Sequence, residues 1–396
     1  MIATAGLALT LSACGGSGGE RTTGSLDEME KVTLSFHVAA PAAHPTGVAV
    51  QGFVDEVAEK TNGKVTIEPY FSGSLLPDTE DLKGVETGVA DMGVIFATRH
   101  PEELPVVNWF TGMQSLRSSA TPHGFLQGSA ALQHTFTTSE AIREEAEGHN
   151  LVLLGGHNSA TNVGMICNKA ITSAADAQGV RARVGGPVWS AEAVSMGFAP
   201  VTLPSGGVYE ALQRGVIDCN MADPTTVAAL GLWEVAKYYH PVDASAAAST
   251  LVAVNKDTWD SLPAQVHEIM ETAMVNYVGR ALTAGLDGYK AFAKGAEDQG
   301  VTIVDARPLN EVLHKHQQNH VEKELIESAP SAVTDPEAFI AEWRSTLEKA
   351  MDVAVENVGT EPADESQSPE EILEGYSKGA DKVDLPRFLT ALGTLK

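Results

Sequence analysis

The residue with the most pointed chemistry in this sequence is Arg183. It stands near the end of a short β-branched run, Val180 to Val184, and is followed at once by Gly185, Gly186 and Pro187. A guanidinium stays charged and presents a fork of N–H donors that fits both oxygens of a carboxylate. Glycines beside it let backbone approach a ligand closely. A lone arginine is more often a surface residue paired with a nearby acid, and it is the sequence around Arg183 that points to a ligand. Further along, Asp223 precedes Pro224, Thr225 and Thr226, an acid beside two hydroxyls. Arg99 offers a second cation, with Glu102 and Glu103 as alternative partners, and Phe96 and Thr98 stand just before it.

The elements that must position these groups are read from periodicity. Val180 to Val184, Pro200 to Leu203 and Val216 to Asp218 are strand-like runs separated by helix-length segments, so a parallel sheet is expected. Ligands of such sheets collect at the carboxyl ends of the strands, where Arg183 falls. Nearer the start, V-T-L-S-F-H-V-A predicts a strand, Gly47 to Thr61 a helix begun by His44-Pro45, K-V-T-I-E-P-Y-F a second strand and Pro77 to Gly88 a helix. A third strand, A-D-M-G-V-I-F-A, runs on to Thr98, Arg99 and His100 before Pro101 stops it. This is a repeated βαβ pattern. Trp109, Phe110 and Met113 fit core packing better than ligand stacking.

The motifs G-V-R-A-R-V-G and G-F-A-P-V-T-L-P-S-G-G-V-Y-E-A-L-Q-R-G-V-I-D-C resemble, almost position for position, those of the solute receptors of tripartite ATP-independent periplasmic (TRAP) transporters, the DctP-type family. H-V then H-P, E-K-T-N-G-K-V and G-V-A-D-M-G-V extend the resemblance, which covers about Lys31 to Val358. It implies a two-lobed, periplasmic-binding-protein-like α/β fold with a ligand cleft between the lobes and a long helix, Pro263 to Glu297, bridging both. It also implies that Arg183 holds a substrate carboxylate. By the same resemblance Phe96, Thr98 and Arg99 open into the cleft and Asn162 on the crossover is a further contact. Trp189 either walls the pocket or packs on its helix, and Tyr209 in V-Y-E-A-L-Q is carried as a contact although a structural role suits it better. His37 and His44 flank a cleft-facing loop, where a lone histidine is more often a packed or capping residue. The family's D-G-Q-E-N-P becomes D-C-N-M-A-D-P here, one residue longer, so its ligand-holding asparagine maps to Ala222 or to Asp223. Val163 stands where some acid-sugar receptors carry another arginine.

The 396 residues suffice for two lobes with separate cores. With 52 acidic against 26 basic residues the formal charge is −26, which argues against charge-driven binding to nucleic acid or an anionic membrane. No H-E-x-x-H, G-x-x-x-x-G-K or helix-opening G-x-G-x-x-G occurs, and no cofactor or metal is expected. L-S-A-C has the form of a lipoprotein signal with Cys14 as the lipid attachment point, so the membrane is met through that anchor only, on the outer face of the cell membrane or in the periplasm. Cys167 and Cys219 form either a disulfide or two buried thiols.

The expected organisation is a signal and tether over 1–30, lobe I from 31–160 with 249–288, lobe II from 161–248 with 289–358, and an acidic linker with a helical extension over 359–396. Asp257 or Ser261 is expected to cap the helices that follow the strand Thr250 to Asn255. The function implied is an extracytoplasmic receptor that closes on a small organic acid and passes it to TRAP permease subunits. A binding protein for an ABC importer or a sensor kinase, or a secreted hydrolase, are the alternatives. The ligand classes left open are C4 dicarboxylates, 2-oxo or 2-hydroxy acids, aromatic acids, sugar acids and zwitterions.

Overall fold

A computed structural model describes residues 25–157, 160–161, 163–246, 250–363 and 367–392. Strand β1 (Val32–His37) leads to helix α1 (Pro45–Lys60), whose start is fixed by Pro45 in the first turn and by His44 Nδ1 accepting the Thr46 amide at 3.2 Å. Then come β2 (Val65–Tyr70), α2 (Asp81–Glu86) and β3 (Met92–Phe96). Helices α3 (Pro105–Thr111), α4 (His123–Thr138) and α5 (Glu140–Gly148) bring the chain to β4 (Leu151–Gly156). The chain crosses to β5 (Val163–Cys167), then builds α6 (Ala174–Ala177), β6 (Arg181–Arg183), α7 (Pro187–Ser195), β7 (Ala199–Val201), α8 (Val208–Gln213), β8 (Cys219–Met221), α9 (Pro224–Ala229) and β9 (Tyr238–Ala244).

A second crossover returns it as β10 (Thr250–Asn255), α10 (Lys256–Ser261) and the long α11 (Ala264–Asp298). β11 (Thr302–Ile303), α12 (Arg307–Asn319), α13 (Leu325–Glu327), α14 (Pro336–Val358), α15 (Pro369–Lys378) and α16 (Leu385–Leu392) complete it.

The strands form two sheets, β2-β1-β3-β10-β4 and β11-β9-β5-β8-β6-β7. In lobe I, β1 runs parallel to β2 and β3, while β10 pairs antiparallel with β3 and β4. In lobe II, β6 is parallel to β7 and β8, and β5 runs against β8 and β9. One core cluster lies within lobe I and one within lobe II, and a third runs from Ile95 and Phe110 of lobe I through Tyr289 and Phe292 of α11 to Ile166 and Tyr239 of lobe II. Phe36, Phe53 and Tyr277 stack edge to face at 6.2 and 6.4 Å in lobe I, and Met165, Ala182, Met196 and Phe198 pack in lobe II. The first half of α11 lies along α1, tied by Arg280 to Glu56 at 2.5 Å. Its later half carries Gly288, against which Thr225 of α9 packs closely. One helix therefore touches both lobes.

Several expectations need correction. β3 ends at Phe96, and Ala97–Arg99 form a single 3₁₀ turn. Val216–Asp218 is not a strand: Gly215 turns the chain at φ 66°, Val216 is exposed, and Asp218 is tied to Arg181, so pairing starts at Cys219. α10 is capped by Asn255, which accepts the Thr258 amide at 3.1 Å, rather than by Asp257 or Ser261. α14, placed with lobe II from the sequence, packs on α4 instead, with Trp343 Nε1 donating to Met113 O at 3.2 Å and its ring 4.8 Å from that of Phe110. An amphipathic pattern gives the buried face of a helix but not its neighbour.

Candidate functional site

A cleft of about 540 Å³ lies between the lobes. Lobe I supplies the loop Ala39–Pro41 with His44, then Asp78, Phe96, Thr98 and Arg99. Lobe II supplies Val163, Arg183, Gly185, Trp189, Ser205 and Asp223. The lobes meet at its rim: Gly186 abuts Thr98, where an added Cβ would stand 3.0 Å from the threonine Cβ.

Arg183 is at the carboxyl end of β6, the position the parallel sheet predicts for a ligand group. Its Nε donates to Leu203 O at 3.1 Å and its Nη2 to Ser205 Oγ at 3.3 Å. No carboxylate pairs with it among the described residues. The surface ion pair belongs to Arg181, which grips Asp218 at 2.9 and 3.0 Å. Arg99 reaches across from lobe I to the same hydroxyl, Nη2 to Ser205 Oγ at 3.2 Å, and pairs with Asp78 at 3.2 Å. Its Cζ sits 4.3 Å above the Phe96 ring, a cation–π contact, and its Nη1 is buried without a partner. Two guanidiniums thus share one serine oxygen with one carboxylate nearby. Burial pulls the Arg183 guanidinium down to about 10, Arg99 adds to the effect, and Asp78 opposes it. Around Ser205 two guanidiniums face the single carboxylate of Asp78, while Asp223 lines another part of the same cleft, so the positive charge is confined to the Ser205 end.

The remaining candidates separate. Phe96, Thr98 and Trp189 line the cleft. Trp189 is fixed by its Nε1 donating to Ser245 O at 2.7 Å, so its ring is a rigid wall. Asp223 is at the cleft but is saturated locally: it caps α9, accepting the amides of Thr225 and Thr226 at 2.8 and 3.1 Å and both threonine hydroxyls. Those donors leave its carboxylate largely satisfied without a ligand. Tyr209 is not in the cleft. Its hydroxyl donates to Glu234 at 2.9 Å on the outside of lobe II, because α8 turns that face away from the carboxyl ends of the strands. Asn162 and Cys14 lie outside the described residues. Cys167 and Cys219 oppose each other on β5 and β8 and are joined in a disulfide. His44 lines the cleft as a cap, whereas His37 is buried beneath it.

Two residues escaped the sequence reading. Ser205 follows β7, the strand next to β6, so its place just beyond that strand's carboxyl end was a usable signal. Asp78 precedes α2 in a turn and carries no pattern that marks it.

Behind Trp189, Glu192 is buried and accepts from Ser245 N at 3.1 Å, Ser245 Oγ at 2.6 Å and Gln317 Nε2 at 2.8 Å. Burial raises its carboxyl above the ordinary range, with these bonds opposing. A raised folded value stabilises fully below the unfolded value and is lost as pH rises through the folded one. Glu192→Gln is therefore expected to gain stability relative to the natural protein as pH rises from the ordinary carboxylate range upward. Thermal midpoints over that rise in pH check this; a constant difference would show that Glu192 does not titrate there.

Two α/β lobes, two crossovers and a cleft with charged groups from both sides define a periplasmic-type solute-binding protein. Residues 36–329 match the model of the bacterial extracellular solute-binding protein family 7, DctP, and the chain belongs to that family, the solute receptors of TRAP transporters. It is 28% identical over 279 residues, 69% of its length and 80% of the other's, to the C4-dicarboxylate-binding periplasmic protein DctP of Rhodobacter capsulatus. It is 27% identical over 240 residues to a monocarboxylate 2-oxoacid-binding periplasmic protein of Nostoc sp., spanning 63% of that protein. Among solved structures, a marine metagenome TRAP solute-binding protein in complex with pyroglutamate superposes with a TM-score of 0.70 at 21% identity, over 80% of this chain and 100% of the other. A Chromohalobacter salexigens TRAP receptor with bound D-glucuronate gives 0.67 at 19%, over 79% and 99%. These likenesses establish the two-lobed fold. No helix among the described residues is long and apolar enough to cross a membrane.

Proposed function

We propose that this receptor captures a small organic carboxylate in the cleft and delivers it to TRAP permease subunits, without chemical turnover. The observation that carries the reading is the pair Arg183 and Arg99 converging on Ser205, with Asp78 paired to Arg99 beside them. An anion placed there recovers the solvation both guanidiniums lose. Arg183 is the main anchor, since Arg99 already has Asp78; Thr98 and Ser205 add hydroxyls. Phe96, Trp189, Met221 and Leu230 give the rest of the cleft apolar walls, which favour a monocarboxylate with a compact apolar or ring body over a polyhydroxylated acid. Relatives named for 2-oxoacid and C4-dicarboxylate binding support the carboxylate class. Binding across the rim stabilises the closed arrangement of the lobes. Cys14 is the proposed lipid anchor that holds the protein outside the cell membrane.

The test is a thermal-shift screen against 2-oxo acids, cyclic and aromatic carboxylates, C4 dicarboxylates and sugar acids, with neutral sugars and amines as controls. A ligand at a hundredfold excess over its Kd stabilises by about 2.7 kcal/mol. Shifts confined to carboxylates are expected, and the compound recovered afterwards should be unchanged. Shifts with neutral sugars or amines alone would overturn the reading.

A further inference from the structure

The family model ends at residue 329, and the pyroglutamate receptor is matched over its whole length by four-fifths of this chain. Helices α15 and α16 lie beyond that family model, yet they are built into the body. Phe388 is fully buried, and Gly279 of α11 lets α16 approach so closely that an added Cβ would stand 2.8 Å from Leu389. Asn357 and Asp384 exchange hydrogen bonds at 2.9 and 3.0 Å, and Lys290 of α11 pairs with Asp381 at 2.8 Å. Ser368 and Glu371 close a capping box at the start of α15.

What α15 touches is the point of interest. The Tyr376 ring meets that of Tyr289 edge to face at 4.6 Å. Tyr289 in turn reaches the crossover between β4 and β5: its hydroxyl accepts the Thr161 amide at 3.3 Å and lies 3.4 Å from Thr161 Oγ1. Val163, just beyond, lines the cleft. On its other side α15 faces a small groove shared with Thr121 of lobe I and Pro241, Arg307 and Asn310 of lobe II. The extension therefore lies across the back of both lobes and backs Tyr289, which holds the Thr161 end of the crossover while Tyr277 of α11 bonds His157 at its other end.

We infer that the C-terminal extension is a strap that sets the interlobe hinge, with Tyr376 as a positioning residue acting through Tyr289 on Thr161. An edge-to-face aromatic contact fixes the position of both rings. With Tyr289 held, Thr161 keeps its place and Val163, at the start of β5, stays at the cleft wall. Local opening of such a segment is read directly by amide exchange. The inference rests on the receptor reading only for its consequence for binding, and its test needs no ligand.

The experiment is hydrogen–deuterium exchange on the full chain without added solute, comparing the natural protein with Tyr376→Ala, Tyr376→Leu and Tyr376→Phe. Exchange at Thr161 and its neighbours in the crossover should rise at least tenfold in Tyr376→Ala, and in Tyr376→Leu should Tyr376→Ala not fold. Amides of β1 and β2 should keep their rates, and Tyr376→Phe should restore protection. Phe198→Leu, which loosens the packing between α7 and β7 in the core of lobe II, is the matched control and should leave the crossover unchanged. Unaltered crossover exchange in the alanine or leucine variant, or an equal rise throughout the chain or in the control, would overturn the inference.

Discussion

Alanine at position 183 is expected to weaken binding of the carboxylate found by the screen by about a hundredfold to a thousandfold, while the free protein keeps its thermal midpoint. Truncating one partner of a desolvated, hydrogen-bonded charge pair costs about 2–5 kcal/mol, and a hundredfold in Kd is about 2.7 kcal/mol. In the free protein the same side chain contributes little. It has no carboxylate partner among the described residues, and burial and the field of Arg99 both act against its charge. Its bonds to Leu203 O and Ser205 Oγ are neutral acceptors at 3.1 and 3.3 Å. Arg183→Lys keeps the charge and loses the fork, so an intermediate affinity is expected. Arg99→Ala should cost less than Arg183→Ala, since Arg99 already spends part of its charge on Asp78. Calorimetric titration beside thermal melts measures both effects. Unchanged affinity in Arg183→Ala would remove the guanidinium from the binding mechanism.

Replacing Tyr289 by alanine should produce the largest loss of stability, about 3–5 kcal/mol, the range for deleting a buried aromatic side chain. Tyr289 is fully buried, 4.8 Å from the Phe125 ring and 4.6 Å from that of Tyr376, and its hydroxyl is joined to Thr161. Tyr289→Phe separates the contributions. It keeps the ring contacts and removes only the hydroxyl, so the loss should be about 1 kcal/mol. Denaturant unfolding of both variants decides between them: equal losses would mean that the hydroxyl, rather than packing, carries the effect. Because Tyr289 stands between α15 and the crossover, its alanine variant should also loosen the hinge.

The site was legible where backbone topology dictates it. Arg183 ends a strand in a parallel run, and the carboxyl end of such a strand is where ligands gather, so type and spacing were enough to place it at the cleft. Phe96, Thr98 and Arg99 were legible for the same reason, although the backbone leaves the strand earlier than its apolar run suggests. Asp223 was legible as an acid at the cleft but not as a helix cap. A residue before Pro-Thr-Thr satisfies its oxygens locally once α9 forms, and those bonds take the place of a ligand. Tyr209 failed because a motif shows that a tyrosine is present but not which way its helix face turns.

By itself the sequence determined the lobes' βαβ order, the long spanning helix, the placement of a guanidinium at a strand end and the resemblance that the family match later established. Those follow from local periodicity and strand-end topology, which the chain carries in its order of residues. Only the tertiary structure decided that Arg99 crosses to Ser205, that Cys167 and Cys219 are bonded, that α14 belongs against α4, and that the last helices lie on α11 behind the hinge. Each of these joins residues distant along the chain, and such contacts depend on which buried faces meet. An amphipathic pattern leaves that choice open until the whole core is packed.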